Sequence, residues 1–415
     1  MACGAQHQSD QKREMLGAIE QISEQFVTET ESGGVVVSPD GRFFDKNPLL
    51  EDIAIRVLTT TPPSGVHDVS AARLRSKALK QTLYPQLLPS LALNEDGEAV
   101  ARLGVSQIIF SNGQFKADKE LLKAVEVEAL ASYLIEANER VAEAIDAYLD
   151  IHLFTQQAEV SKSLEGRYRR LVSQAEQRVS GGVAHGNEAS SFQLRLLESR
   201  SDFQESINNK ILAETQLAEL TNGVDAPGFP PPIQLVDASS MPPEIVLSIA
   251  ENGLAQGSLD VERARRRPSI SIEAGANVDT LTGDFEEDAS IGVGVSVPLR
   301  LRNNYDIEAA IADVEASEAA LANSREDVET RLVQLYESIE RNRARITPLT
   351  DLVHFSKKRV DEFDEQFLSG ALSLEEAISI LETYSRSKFS LIEAKNNIMR
   401  DQLEIAQING LLIPG

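Results

Sequence analysis

The chain repeats itself at a spacing of 188 residues. The stretch "NEASSF" at Asn187–Phe192 aligns with "EEAISI" at Glu375–Ile380, and the same offset pairs Gly182 with Gly370. Duplicated sequence indicates a duplicated structural unit. The pattern predicts two repeats, residues 60–222 and 243–412, joined by a Pro-rich connector, residues 223–242. An N-terminal segment, residues 1–59, precedes them, and its "SGGVVVSPDGRFF" stretch is typical of a small hairpin.

Each repeat predicts a helix, a β-hairpin, a very long helix and a final helix. The hairpins are expected at 90–109 and 269–297, the long helices at 113–179 and 303–368, and the final helices at 188–220 and 374–409. Pro89 and Pro268 are expected to open the first strand of each hairpin. The first long helix carries a seam with alternating steps of 4 and 3, which predicts a coiled coil on the order of 100 Å long: Leu130, Leu134, Ala137, Val141, Ala144, Tyr148 and Ile151. The second long helix has a matching seam: Leu321, Val328, Leu332, Leu335, Ile339 and Ile346.

The predicted strands alternate between apolar and polar residues. In "PSISIEAGANVDT", Ile270 and Ile272 alternate with Ser271 and Glu273. Strands of about ten residues with this pattern are typical of transmembrane β-barrels, whose apolar faces contact lipid. A sheet with one face packed on helices shows the same alternation, but narrow heptad seams leave little helix surface to cover it. Four strands cannot close a barrel, so several chains must share one; two chains would nearly fill the interior, whereas three leave a passage.

Composition excludes several other classes of protein. The formal charge of −25 argues against nucleic-acid binding, which needs a basic surface. No apolar run reaches the eighteen residues of a transmembrane helix. The five histidines lack the spacing of metal ligands, and no Walker loop, nucleophile elbow or dinucleotide fingerprint is present. We therefore expect neither an enzyme nor a bound cofactor or metal.

The ordered, doubled motifs resemble those of the TolC-like outer-membrane efflux proteins. The resemblance covers nearly all of residues 60–412 and rests on the two Gly turns and four stretches, "LYPQLLPSLAL", "GVSQIIFSNGQ", "RARRRPSISIEAG" and "GVGVSVPL". It implies a mostly α fold with β: a homotrimer whose twelve-stranded transmembrane barrel, four strands per chain, continues into a long α-helical coiled-coil barrel. It also implies a passive exit channel in the bacterial outer membrane that extends into the periplasm. Its partners would be a periplasmic adaptor and the inner-membrane transporter of a tripartite efflux or type I secretion system. The alternative is a soluble coiled-coil scaffold that binds partner helices, and the cargo is not specified by the sequence.

In each repeat one Gly-containing turn joins the long helix to the final helix. The two turns together would form the periplasmic tip. Glycine permits the left-handed backbone that ends a helix sharply. The resemblance implies that the adaptor contacts these turns, whereas an ordinary helical hairpin explains the same residues without a partner. The tip residues are Gly181, Gly182, Val183, Ala184, Gly370, Ala371 and Leu372.

A carboxylate follows each turn glycine by six positions. By resemblance, Glu376 would form a constriction ring on the three-fold axis, and Glu188 would lock the closed gate. The alternative is that each is an ordinary acidic residue in the first turn of a helix. Ser379 and Phe367 stand where the best-known relative has an acid and a tyrosine, and Leu372 stands where it has an arginine. The gate is therefore expected to be looser or held by apolar packing.

The single cysteine, Cys3, lies between Ala2 and Gly4. A cysteine flanked by small residues fits the lipidation site of a bacterial lipoprotein, and the alternative is a chance cysteine in a frayed terminus. It cannot form an intrachain disulfide.

Overall fold

A computed structural model describes most of the chain. The described residues are 27–29, 35–37, 42–60, 62–93, 99–182, 186–223, 232–235, 241–279, 290–297, 305–368 and 372–414. They form two compact units. Unit 1 comprises residues 1–38, 64–135 and 242–327, and unit 2 comprises residues 39–63, 136–241 and 328–415.

The described elements follow the predicted order. The strands are β1 (Val27–Glu29), β2 (Val35–Val37), β3 (Gln86–Leu93), β4 (Ala99–Phe110), β5 (Ser269–Asp279) and β6 (Ser290–Ser296). The helices are α1 (Arg42–Lys46), α2 (Pro48–Thr60), α3 (Gly65–Gln81), α4 (Gln114–Ser180), α5 (Gly186–Thr221), α6 (Pro243–Ala264), α7 (Tyr305–Leu368) and α8 (Leu374–Ile408). Helices α4 and α7 end at residues 180 and 368, and α5 and α8 begin at 186 and 374, so both pairs of bounds keep the spacing of 188. None of these helices has an apolar stretch sufficient to cross a bilayer.

Unit 1 contains an antiparallel sheet in the order β3-β4-β5-β6. Residues directly opposite in an antiparallel pair lie on the same face. Leu87 pairs with Val105, Val105 with Ala274, and Ala274 with Ile291, so the apolar positions of all four strands share one face. The opposite face carries mostly polar or small residues, together with Leu88 and Ile108. On this face Ser271 pairs with Gly294 and donates a hydrogen bond to Glu273.

The apolar face of this sheet is solvent-exposed in the single chain. Ile291 is 85 % exposed, Leu91 72 % and Val293 69 %. None of the helices that the structure describes therefore covers these side chains. The alternative of a sheet packed on helices is wrong for the described strands.

Strand β3 begins at Gln86, four residues before the predicted start at Ser90. The expectation that Pro89 opens this strand is wrong, since Pro89 lies inside it and pairs with Leu103. Proline is tolerated there because β3 is an edge strand, whose outer side has no ladder to interrupt. Pro268 does directly precede β5, as the sequence predicts.

The heptad seam of α4 is buried along its whole length. All seven seam residues from Leu130 to Ile151 are at most 5 % exposed. The seam of α7 is only half covered: Val328, Leu335 and Ile339 are buried, while the other members are partly exposed. Most of the remaining surface of α7 is open in the single chain.

The N-terminal segment contains the expected small hairpin, formed by β1 and β2. It pairs Val27–Glu29 with Val35–Val37 and does not extend into "RFF", because those residues are helical.

The helices that follow this hairpin contribute to the core of unit 2. Phe43 and Ile53 pack into the cluster that includes Tyr148 and Leu412. Nearby, the fully buried Asn47 side chain donates to the carbonyl of Gln234 (3.1 Å) and accepts from its amide (3.0 Å). No local sequence pattern predicts this attachment of the connector.

Candidate functional site: the helix-joining turns

The turn after α4 ends the helix with a left-handed glycine. Gly182 has a φ of +69° and donates its amide proton to the carbonyl of Val179 (3.0 Å). Gly181 donates to the carbonyl of Gln177 at the same distance. Both glycines are exposed. The predicted left-handed backbone at this turn is therefore confirmed for Gly182. Val183 and Ala184 lie outside the described residues.

The turn before α8 is fixed by reciprocal hydrogen bonds. The Ser373 hydroxyl accepts from the amide of Glu376 (3.3 Å), and the Glu376 carboxylate accepts from the Ser373 amide (3.1 Å) and hydroxyl (3.0 Å). This capping box satisfies backbone donors that the start of a helix leaves unpaired. Leu372, one residue earlier, is half-buried and packs against the apolar cluster of α4 and α8.

The Glu376 carboxylate is exposed, and its pKa is lowered mainly because the Ser373 amide and hydroxyl stabilise its charged form. The capping box gives this residue a local role that needs no partner. Glu188 occupies the equivalent place in the first turn of α5 and is half-exposed. First-turn geometry accounts for both acids, and their role in a channel ring stays a prediction.

The other predicted gate residues are placed only in part. Ser379 is exposed on α8, one turn beyond Glu376. Gly370, Ala371 and the side chain of Phe367 lie outside the described residues, as does Cys3.

Ion pairs between helices near these turns were not anticipated from the sequence. In unit 2, Arg195 of α5 contacts Glu382 of α8 at 2.6 Å and Glu198 at 2.7 Å. Tyr168 of α4 lines the same cleft, and burial raises its pKa to about 12. Partners 187 positions apart leave no local signal in one sequence.

A second pair, Arg167 of α4 and Asp361 of α7 (3.3 Å), joins the two repeats close to the turns. Both ion pairs are partly exposed, so each contributes at most about 1 kcal/mol to stability. Within the described ranges, no group of His, Cys, Asp and Glu residues is arranged to hold a metal ion.

Comparison with known proteins supports the resemblance found in the sequence. Residues 237–411, less than half of the chain, match the family described as outer membrane efflux protein. The resemblance is thereby confirmed for this segment, which lies almost wholly in the second predicted repeat. No curated protein matches the chain in sequence.

Solved structures of outer-membrane proteins share the fold of this chain. VceC from Vibrio cholerae superposes with a TM-score of 0.79 at 13 % identity, covering 90 % of this chain and 99 % of its own. The CmeC outer membrane channel of Campylobacter jejuni gives 0.75 at 12 % identity, with coverages of 94 % and 91 %. The open-state MtrE outer membrane channel of Neisseria gonorrhoeae gives 0.72 at 13 % identity, with coverages of 94 % and 96 %.

The matched family bears on two further expectations. It is a family of outer-membrane efflux proteins and not of enzymes, so the predictions of an outer-membrane location and of a non-enzymatic role are confirmed at the level of the family that residues 237–411 match. The mostly helical chain with a small antiparallel sheet matches the fold of these channels.

Proposed function

We propose that this chain is a passive exit channel in the bacterial outer membrane, part of a tripartite efflux or type I secretion system. Three chains would contribute four strands each to a twelve-stranded barrel, and their helices would form a periplasmic duct. An adaptor and an inner-membrane transporter would open the duct at the helix-joining turns.

The observation that carries this proposal is the exposed apolar face of the four-stranded sheet. Apolar positions lie in register across β3 to β6, and the exposed fractions of Leu87, Ile291 and Val295 all exceed one half. Soluble proteins rarely leave so continuous an apolar patch in water. In lipid the patch needs no cover, but the edges β3 and β6 must pair with another chain.

The polar face would then line a lumen. Ser271, Glu273 and Ser296 lie on this face and would contact water, with Glu273 favouring cations. At the tip, Glu376 would form the constriction ring and Glu188 the latch. Since Phe367 and Leu372 lack polar groups for a lock, the Arg195–Glu382 and Arg167–Asp361 pairs are ionic contacts that would hold the closed helices together.

Reconstitution with paired variants tests the proposal. Val293→Arg places a charge on the apolar face, where an arginine at the bilayer centre costs about 2–4 kcal/mol. We expect it to reduce membrane-inserted trimer at least ten-fold. Ser290→Arg, on the polar face of the same strand, is the matched control and should insert normally. The measurements are the mass of the complex in detergent and its conductance in planar bilayers.

Two results would contradict the channel. Equal insertion of both variants would show that the apolar face does not contact lipid. A wild-type chain that stays monomeric and soluble without detergent would favour the coiled-coil scaffold instead.

A further inference from the structure

Basic residues cluster at one end of the four-stranded sheet, although the whole chain carries a charge of −25. The last part of α3 and the loop into β3, residues 72–86, contain four basic and no acidic residues. In the second repeat, residues 263–267 directly before β5 contain four arginines in five positions. Both repeats therefore place a basic cluster at the junction of helix and strand.

The strand register brings the two basic clusters to the same end of the sheet. Gln86 at the start of β3 pairs with Ser106 near the end of β4, and Phe110 pairs with Ile270 at the start of β5. Arg267 donates a hydrogen bond to the carbonyl of Asn112, just after β4 (3.4 Å). The sequences that join β3 to β4 and β5 to β6, residues 94–98 and 280–289, carry three and four acids.

Some of the basic side chains are neutralised by nearby acids. Arg73 contacts Glu126 at 2.6 Å, and Arg265 contacts Glu262 at 2.8 Å. These pairs explain their own arginines as structural contacts. The cations that remain are the ones available to bind an anion.

Arg263 also contacts Asp260 (3.9 Å), and Lys77 and Arg266 have contacts of their own. Three further cations are exposed: Arg75, Lys80 and Arg267. Among the residues that the structure describes, none of the three is ion-paired. A helix macrodipole favours cations only in the last turn. It accounts for Lys80 in the last turn of α3, but Arg75 lies six positions before the end of that helix, and Arg267 lies beyond the end of α6.

Exposed aromatic residues lie beside these cations. Tyr84, in the loop between α3 and β3, is 67 % exposed, and Phe110 at the end of β4 is 53 % exposed. Aromatic side chains concentrate where a membrane-spanning barrel meets the headgroups of the bilayer. Cations at this level would face lipid phosphates directly.

We propose that Arg75, Lys80 and Arg267 form a basic collar that binds the phosphate headgroups of anionic phospholipids. The collar rests on the proposed function, since it needs the sheet to lie in a bilayer. A trimer would carry three such collars. Their positive charges would fix the depth and orientation of the barrel in the bilayer. Binding should weaken with salt, because the cations are exposed.

Lipid competition in detergent tests the collar. The full chain is mixed with equal amounts of palmitoyl-oleoyl phosphatidylglycerol and phosphatidylcholine, and bound lipids are counted by native mass spectrometry. We expect the wild type to prefer the anionic lipid. The variant Arg75→Gln/Lys80→Gln/Arg267→Gln should lose this preference by about five-fold per charge removed.

The matched control removes three exposed cations from unit 2, Lys162→Gln/Arg170→Gln/Lys357→Gln, and should keep the preference. An unchanged preference in the collar variant, or an equal loss in the control, overturns the proposal. Displacement of the anionic lipid by millimolar inorganic phosphate would overturn it too, since the collar would then bind free anions.

Trimer mass and conductance of the collar variant are measured in parallel and should match the wild type. A conducting wild-type trimer without lipid preference refutes the collar and leaves the channel intact. A wild type that neither trimerises nor conducts refutes the channel, and the collar with it.

Discussion

At the scale of single residues, Glu376 has two separable roles, a local cap and a proposed ring charge. The variant Glu376→Gln keeps a hydrogen-bond acceptor for the capping box but removes the charge. If three such carboxylates lie on the channel axis, we expect lower cation selectivity in planar-bilayer recordings. Glu375→Gln removes a charge from the exposed neighbouring residue and should leave selectivity unchanged. Equal selectivity of all three proteins would exclude the ring.

Measuring the stability of the protein at decreasing pH tests the capping box itself. The folded-state pKa of Glu376 lies below its ordinary value of 4.5, so its stabilising contribution is complete above 4.5 and is lost as the pH falls through the lowered value. Ser373→Ala removes the donor hydroxyl and should destabilise the start of α8 by about 1 kcal/mol at neutral pH. Thermal unfolding in detergent across the acidic range should show a smaller pH dependence in this variant.

At the scale of elements, replacing either of two glycines of unit 2 by alanine should have opposite effects on the stability of the long helix α4. Gly182 ends the helix at φ +69° in open space, so alanine there meets only backbone strain, about 1 kcal/mol destabilising. Gly166 lies inside α4 with no atom within 4 Å of an added Cβ. Alanine there should stabilise the protein by about 0.5–1 kcal/mol. Thermal unfolding of Gly182→Ala and Gly166→Ala checks both signs, and a stabilised Gly182→Ala would contradict the left-handed turn.

The elements that the sequence predicts well are those with local signals. The seam of α4 shows its period within one helix, and Gly182 marks its turn directly, so both are found where expected. The sequence pattern places the start of β3 too late because Pro89 suggests a strand boundary. Pro89 instead lies inside β3, which the edge position of this strand allows. The Arg195–Glu382 pair and the Asn47–Gln234 contact depend on tertiary proximity between distant positions, which no local pattern contains.

At the scale of the whole molecule, exposed apolar side chains occur on the helices as well as on the sheet. Helix α5 exposes Leu194, Leu197 and Ile211, spaced three and fourteen residues apart along one face, each more than half exposed. Helix α7 exposes Phe355 (64 %) and Tyr336 (51 %). Lipid accounts for the sheet but not for these helices, which the proposed channel places in the aqueous periplasm. Contact between neighbouring chains is the arrangement that would cover them.

The last prediction follows from this division between lipid and protein. Leu197→Asp charges the apolar stripe of α5 and should weaken the trimer without disturbing the fold of one chain, since Leu197 is 55 % exposed there. Leu197→Asn removes the same apolar side chain without adding a charge and should weaken the trimer less, because burying a neutral amide costs less free energy than burying a carboxylate. Native mass spectrometry in detergent measures the trimer fraction, and circular dichroism checks the helix content. The two variants would then show different defects. Leu197→Asp should be monomeric in detergent because contacts between helices are lost, whereas Val293→Arg should not insert into the membrane because contact with lipid is lost. A trimer that tolerates Leu197→Asp would mean that α5 does not form the subunit interface.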